Sequence, residues 1–208
     1  GYMSALRDLA LKHQITVPLI GCVGQGDLAG ATGNVPGIIS TCNFYPELLD
    51  PCIEAKVSHY RKELAQYQLP LMVTETNTSH FHLRRLLSCG AKLLGPYNQV
   101  AGTNFGFVNA VNNWGTPLSF ITTDYNFKSM ITPTGETTEE YFEARLLARL
   151  IDVLGISLAQ ATPVENHGIM LQTDLPIVEG GPYGLALHGK GKLIAVPNLT
   201  PAAGTVVI

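Results

Sequence analysis

Glu75 is the side chain best placed to do chemistry. It closes the run Pro70-Leu71-Met72-Val73-Thr74 and is the only carboxylate directly ending an apolar strand candidate. An acidic group in such a position is desolvated unless it finds partners, so its presence calls for a reason. Two reasons fit. It is a nucleophile or general acid, or it is a structural carboxylate that ties loops together through backbone N–H groups. Polar groups close two further runs: Asn43 after 38–42, and Tyr97-Asn98-Gln99 after the run that starts at Lys92-Leu93-Leu94. Glycoside cleavage with retention needs a second carboxyl group ~5–5.5 Å from the first. Asp27 lies in a stretch read as a flexible loop and Asp124 in a different kind of motif. Neither is a convincing partner, so composition and spacing alone do not establish that chemistry.

Other reactive side chains read as structural. His80 and His82 stand two apart near a helix start, a spacing that does not suit two metal ligands on one helical turn. They are expected to face solvent or to cap, with substrate contact as the alternative. Trp114 reads equally as a stacking platform or as loop packing. Cys22, Cys42, Cys52 and Cys89 show no CxxC spacing and mostly sit in apolar company. They are read as buried thiols in a protein that does not depend on disulfides. No metal site is expected.

The elements that must position Glu75 follow from hydrophobic period. Leu6, Leu9, Ala10 and His13 recur at helical spacing over residues 2–13. The run Ile15-Thr16-Val17-Pro18-Leu19-Ile20 is a strand candidate, with Pro18 arguing against a central place. Residues 21–37 contain six glycines and no long helix follows, so they read as a loop over a surface. A second strand spans 38–44. Asp50-Pro51 then opens a helix with buried face Ile53, Val57, Tyr60 and Leu64. The third strand is 70–75. A helix at 79–89, capped by Ser79 or Thr78, buries Leu83, Leu86 and Leu87 and ends at Gly90. A fourth strand begins at 92–94. A polar loop covers 97–117, and 119–123 is a further extended piece. Thr137 and Glu140 form a capping box for a helix to Leu154 that Gly155 ends.

Alternating strands and helices imply a parallel sheet with covering helices. Four such units in roughly 150 residues are half of an eight-fold barrel, whose catalytic groups sit at the C-terminal strand ends. Residues 1–155 are therefore expected to be the C-terminal half of a (β/α)8 TIM barrel. Residues 156–208 lack a helical period and carry Gly-Gly-Pro and Gly-Lys-Gly turns, so they are expected to begin an all-β domain.

Charged residues make up 14% of the chain and hydrophobic ones 46%, with a net charge of −3. That leaves no basic footprint for nucleic acid, and no apolar run approaches the ~20 residues of a membrane helix. The opening Gly1-Tyr2 runs almost at once into an amphipathic pattern, without a signal peptide or a natural-looking start. The chain is expected to be a piece of a longer protein, so the compartment stays open, as does the oligomeric state.

From Pro70 to Glu75 the sequence resembles glycoside hydrolase family 35, the family of many β-galactosidases. The likeness continues at Ala101-Gly102-Thr103-Asn104-Phe105-Gly106-Phe107, at Thr122-Thr123-Asp124-Tyr125-Asn126, and at Gly135-Glu136-Thr137-Thr138-Glu139-Glu140-Tyr141-Phe142. Upstream, Leu6-Arg7-Asp8-Leu9-Ala10 and Val17-Pro18-Leu19 are also family-like. The resemblance spans about residues 2–155. It implies a (β/α)8 barrel whose fifth to eighth strands are present here, a retaining mechanism without a cofactor, and Glu75 as nucleophile. It also implies that the acid/base glutamate belongs to an Asn-Glu motif upstream, so that this chain alone is inactive. Tyr125 matches a tyrosine that contacts the galactose, and Asn104 matches an asparagine of a family loop, counted with the substrate-binding residues while a structural role stays open to it. Asn43, Asn77, Tyr97 and Phe107 complete the expected substrate wall. Asn77 and Phe107 depart from the family pattern, as does Thr78-Ser79-His80-Phe81-His82. These departures put the identity of the sugar in doubt rather than the reaction class. The alternatives are a related exo-glycosidase with another sugar preference and a sugar-binding homologue that has lost catalysis.

Overall fold

The computed structural model describes residues 1–112, 117, 119–121, 123–164 and 170–208. Trp114 lies outside the described residues. Four parallel strands form the central sheet: β1 (Leu19–Val23), β2 (Ile38–Phe44), β3 (Met72–Thr76) and β4 (Leu93–Pro96), adjacent in sequence order. Helix α1 (Tyr2–Lys12) precedes them; α2 (Leu28–Ala31), α3 (Ile53–Ala65) and α4 (His80–Ser88) lie in the three crossovers. Strands 2 to 4 fall within about two residues of their expected places. The first strand is displaced, because it begins after Pro18 rather than running through it. A proline lacks the N–H that a ladder needs.

The fold is therefore mixed α/β with a four-stranded parallel sheet. Its core is formed by Cys42, Phe44 and Val73 of the sheet and by Ile53, Val57, Leu64, Leu83, Leu86 and Leu87 of the helices. The predicted faces of α3 and α4 hold, except that Tyr60 is only half-buried. Gly90 adopts φ +97° just beyond α4, the left-handed turn that ends a helix.

Four sequence expectations are corrected. The glycine-rich loop contains α2, capped by Asp27, whose Oδ1 accepts from the Gly30 N–H at 2.7 Å. The short helix is held from outside as well: Glu63 Oε1 of α3 accepts from the N–H of Leu28 at 3.0 Å. Next, His80 and His82 are buried rather than solvent-facing. The long helix α5 (Glu139–Gln160) passes through Gly155 and stops only where Lys92 Nζ donates to Leu158 O at 2.7 Å and Ala161 O at 2.8 Å. A cation on the last carbonyls ends a helix favourably, and here it comes from another element. A single glycine costs a helix only ~1 kcal/mol, too little to break one that tertiary contacts secure. The capping box is absent too. Glu140 Oε2 instead accepts from the backbone N–H of His80 at 2.9 Å and lies 2.9 Å from its Nδ1. α5 thus caps α4.

After β4 the chain forms short pairs. β5 (Gly102–Thr103) leads to a 3₁₀ turn at Phe105–Phe107. β6 (Ala110–Asn112) and β7 (Ser119–Ile121) form a hairpin, and β8 (Asp124–Tyr125) returns antiparallel to β5. Beyond α5 lie β9 (Thr162–Pro163), β10 (Gln172–Thr173), β11 (Tyr183–Leu187), β12 (Gly191–Ala195) and β13 (Val206–Val207). β12, β11 and β9 form one small sheet; β10 and β13 pair separately. Leu185 and Leu187 of β11 enter the same core as the parallel sheet and its helices.

Candidate functional site

The C-terminal ends of β1, β2 and β3 present one polar face. Along β2, alternation sends Cys42 and Phe44 into the core and Thr41, Asn43 and Tyr45 to the opposite side. Simple alternation on β3 would send Glu75 to the side of Val73, which is 1% exposed. The ladder prevents this. Cys42 pairs with Val73 but Asn43 pairs with Glu75, so Thr74 is an extra residue and Glu75 turns onto the polar face. Such slips re-aim side chains. β4 makes room for it at Gly95, where a Cβ would lie 2.2 Å from Thr74 O.

Both oxygens of Glu75 are then occupied. Asn43 Nδ2 donates to Oε2 at 3.1 Å, and the Tyr45 hydroxyl donates to Oε1 at 2.7 Å. Desolvation, and next the bond to Glu75, raise the Tyr45 phenol above its usual range, so it stays a donor. The Tyr97 and Tyr125 hydroxyls are hydrogen-bonded to each other. That bond, ahead of desolvation and the charge of Glu75, pushes Tyr97 up to about 12. Phe127 packs edge-on against both rings, at centroid distances of 6.0 and 4.9 Å. β4 and β8 bring these rings together: Tyr97 N–H donates to Thr76 O at 2.9 Å, while Tyr125 pairs with Gly102.

Of the residues singled out from sequence, Glu75 and Asn43 are thus in direct contact. Tyr97 and Tyr125 form a second pair, joined through their hydroxyls. Asn77 Nδ2 is turned to Pro46 O at 2.8 Å, where it holds the loop after β2. Asn104 closes its own turn, donating to Val108 O at 2.9 Å. Phe107 is 75% exposed on the same turn.

Sequence reasoning missed Tyr45 and Cys22. Tyr45 carried a signal, since it lies two places beyond Asn43 on the same strand face. Cys22 carried none: it is exposed, not buried, with Sγ donating to Asn43 Oδ1 at 2.7 Å. All four cysteines are free; Cys42 and Cys89 are buried as expected, and Cys52 is half-buried. Burial raises Cys42 and Cys89 to about 12 each, which leaves them inert thiols. Among the described residues no group of three or more His, Cys, Asp or Glu could hold a metal ion. No described helix is long and apolar enough to cross a membrane.

The arrangement suits a carboxylate that attacks or stabilises an electron-poor carbon. Two neutral donors fix its orientation, and aromatic rings stand nearby to meet an apolar or sugar face. In comparison with known proteins, no family model matches this chain and no curated protein matches it.

Proposed function

We propose that the chain is part of a retaining β-glycosidase acting on terminal β-galactosides, within a (β/α)8 barrel, with Glu75 as nucleophile. The observation that supports this best is the pairing of both Glu75 oxygens with Asn43 and Tyr45 on the polar end of a parallel sheet. A carboxylate so held has a defined direction of attack. Glu75 adds to the anomeric carbon through an oxocarbenium-like transition state and forms a covalent glycosyl-enzyme, which water then cleaves. The proton for the departing oxygen comes from a second carboxyl group. On the family resemblance this is a glutamate upstream of α1. The Tyr97–Tyr125–Phe127 cluster forms the wall against which the sugar packs, and no cofactor takes part.

A second reading, a sugar-binding homologue without turnover, keeps the same cluster of residues around Glu75 and lacks the upstream glutamate. The test uses the complete protein and a 2-deoxy-2-fluoro-β-galactoside with a good leaving group, followed by peptide mapping. A label on Glu75 supports the reading. A label on another carboxylate overturns the assignment. Absence of label in folded protein favours the binding homologue or another sugar, and glucosyl and arabinosyl reagents separate these.

A further inference from the structure

We propose that Cys22 is a positioning residue for Glu75, acting through the side-chain amide of Asn43; the link to catalysis rests on the reading of Glu75 as nucleophile. Three strands contribute. Cys22 on β1 is the register partner of Thr41 on β2, and Asn43 lies two places further along β2, beside Glu75 on β3.

The proton assignments follow from the donor count. An amide has a carbonyl that only accepts and an NH2 that only donates. Asn43 Nδ2 faces a carboxylate oxygen at 3.1 Å, so Oδ1 must point away from it. Oδ1 points at Cys22 Sγ, 2.7 Å away. The thiol has one proton and two neighbours that can take it, Asn43 Oδ1 and Thr74 Oγ1 at 3.2 Å. Thr74 does not need it. Its hydroxyl lies 2.8 Å from Thr41 Oγ1, and Thr41 in turn donates to Gly21 O at 3.2 Å. The threonine protons run across the strands from Thr74 on β3 through Thr41 on β2 to Gly21 on β1, with Cys42 O a second acceptor for Thr74 at 3.4 Å, and the thiol proton is left for Asn43. One orientation of the amide satisfies every group. In the flipped orientation the carbonyl would face the Glu75 carboxylate and the NH2 would face a thiol proton. Cys22 thereby locks the donor onto Oε2, while Tyr45 serves Oε1 independently.

The lock predicts a pattern across substitutions. Cys22→Ser keeps a single donor at the same place. Cys22→Val occupies about the same volume and supplies no donor. Cys22→Ala admits water, which restores the bond in part. The experiment measures two quantities on the complete protein: the Asn43 side-chain amide resonances by NMR, and the rate of labelling by the 2-fluoro galactoside. Expected are a displaced or averaged Asn43 amide and labelling slowed about tenfold in Cys22→Val, intermediate values in Cys22→Ala, and both near the parent's in Cys22→Ser. An Asn43 amide unchanged in Cys22→Val overturns the proposal. So does loss of the amide signature in Cys22→Ser. If Cys22→Val does not fold, the Ala–Ser comparison decides by the same readouts. If the parent protein takes no label but its Asn43 amide responds as expected, the lock stands and the β-galactosidase reading falls.

Discussion

Asn43 Nδ2 lies 3.1 Å from Glu75 Oε2, and the two residues are ladder partners only because the register slips between Cys42 and Asn43. In an unslipped ladder Glu75 would follow Val73 into the apolar core, where a carboxylate would be strongly desolvated. The slip moves the charge to the polar face without moving the strand. It also leaves Thr76 buried, donating to Phe44 O, with His82 Nε2 2.9 Å from its hydroxyl.

Gly95 makes that slip possible, and its substitution is the first test. A Cβ at this position would meet Thr74 O at 2.2 Å and Thr74 C at 2.5 Å, both backbone atoms in the middle of the slip. Gly95→Ala must push β4 away or flatten β3. The expected cost is ~1–3 kcal/mol, as for other overpacked sites, together with a loss of labelling if Glu75 is the nucleophile. Urea denaturation gives the first quantity and the 2-fluoro reagent the second. A variant as stable and as reactive as the parent would show that β4 has room to retreat.

Tyr45 offers a test that separates chemistry from folding. Its ring is 43% exposed, so removing the hydroxyl should change stability by no more than ~0.5 kcal/mol. The bond it makes lies where solvent can replace it in the folding balance, whereas its direction on Glu75 is what a reaction at that carboxylate would use. If Glu75 is the nucleophile, Tyr45→Phe should lower kcat/KM about 10- to 100-fold while the urea midpoint stays put. Equal kinetics in the variant would remove Tyr45 from the machinery.

Both residues show where sequence reading reached and where it stopped. β2, α3 and α4 were legible because apolar residues repeat at the period of each element. Glu75 stood out because no other acid directly ends an apolar strand. The slip at Thr74 was not legible, since it depends on the fit of β3 against β2 and β4 and leaves no local pattern. Nor was the fate of Glu140. Its spacing from Thr137 satisfies a local capping rule, yet the carboxylate reaches His80 on another helix. Glu63 at α2 and Lys92 at α5 behave in the same way. Side chains that cap across the fold are chosen by tertiary packing, which a single sequence does not display.

The Arg85–Glu54 pair ties α4 to α3 in the core. Arg85 is 2% exposed and Glu54 1%. Two guanidinium nitrogens reach the carboxylate, and two also reach Leu48 O and Asp50 O at 2.8 Å each. Arg85→Met leaves a buried carboxylate alone and should cost ~3–5 kcal/mol. Adding Glu54→Leu should recover part of that loss, because no charge then remains buried. The two carbonyls still lose their donor, so recovery is incomplete. Denaturation of the single and double variants measures the difference; a double variant less stable than Arg85→Met would refute the buried-charge explanation.

His82 makes stability depend on acid in a defined window. Burial, and then the charge of Arg85, lower its pKa from the ordinary 6.5 to about 4. Its Nε2 meets the Thr76 hydroxyl, while Nδ1 is buried and finds no partner among the described residues. A second ring proton would therefore enter an apolar site beside a guanidinium. Between pH 6.5 and 4 the unfolded chain takes up this proton and the folded chain does not. Stability is thus complete above 6.5 and falls as pH drops through the window, by about 3 kcal/mol at its lower end. Asp50, whose carboxyl is lowered chiefly by its bond to Lys56, acts only below its ordinary 3.8, so the two effects separate on the pH axis. His82→Gln keeps an amide near the place of Nε2 and cannot take up a proton. Its stability should be flatter between pH 6.5 and 4 by up to ~1.4 kcal/mol per pH unit. If urea titrations across this range give parallel curves for parent and variant, His82 is not the source of the acid sensitivity.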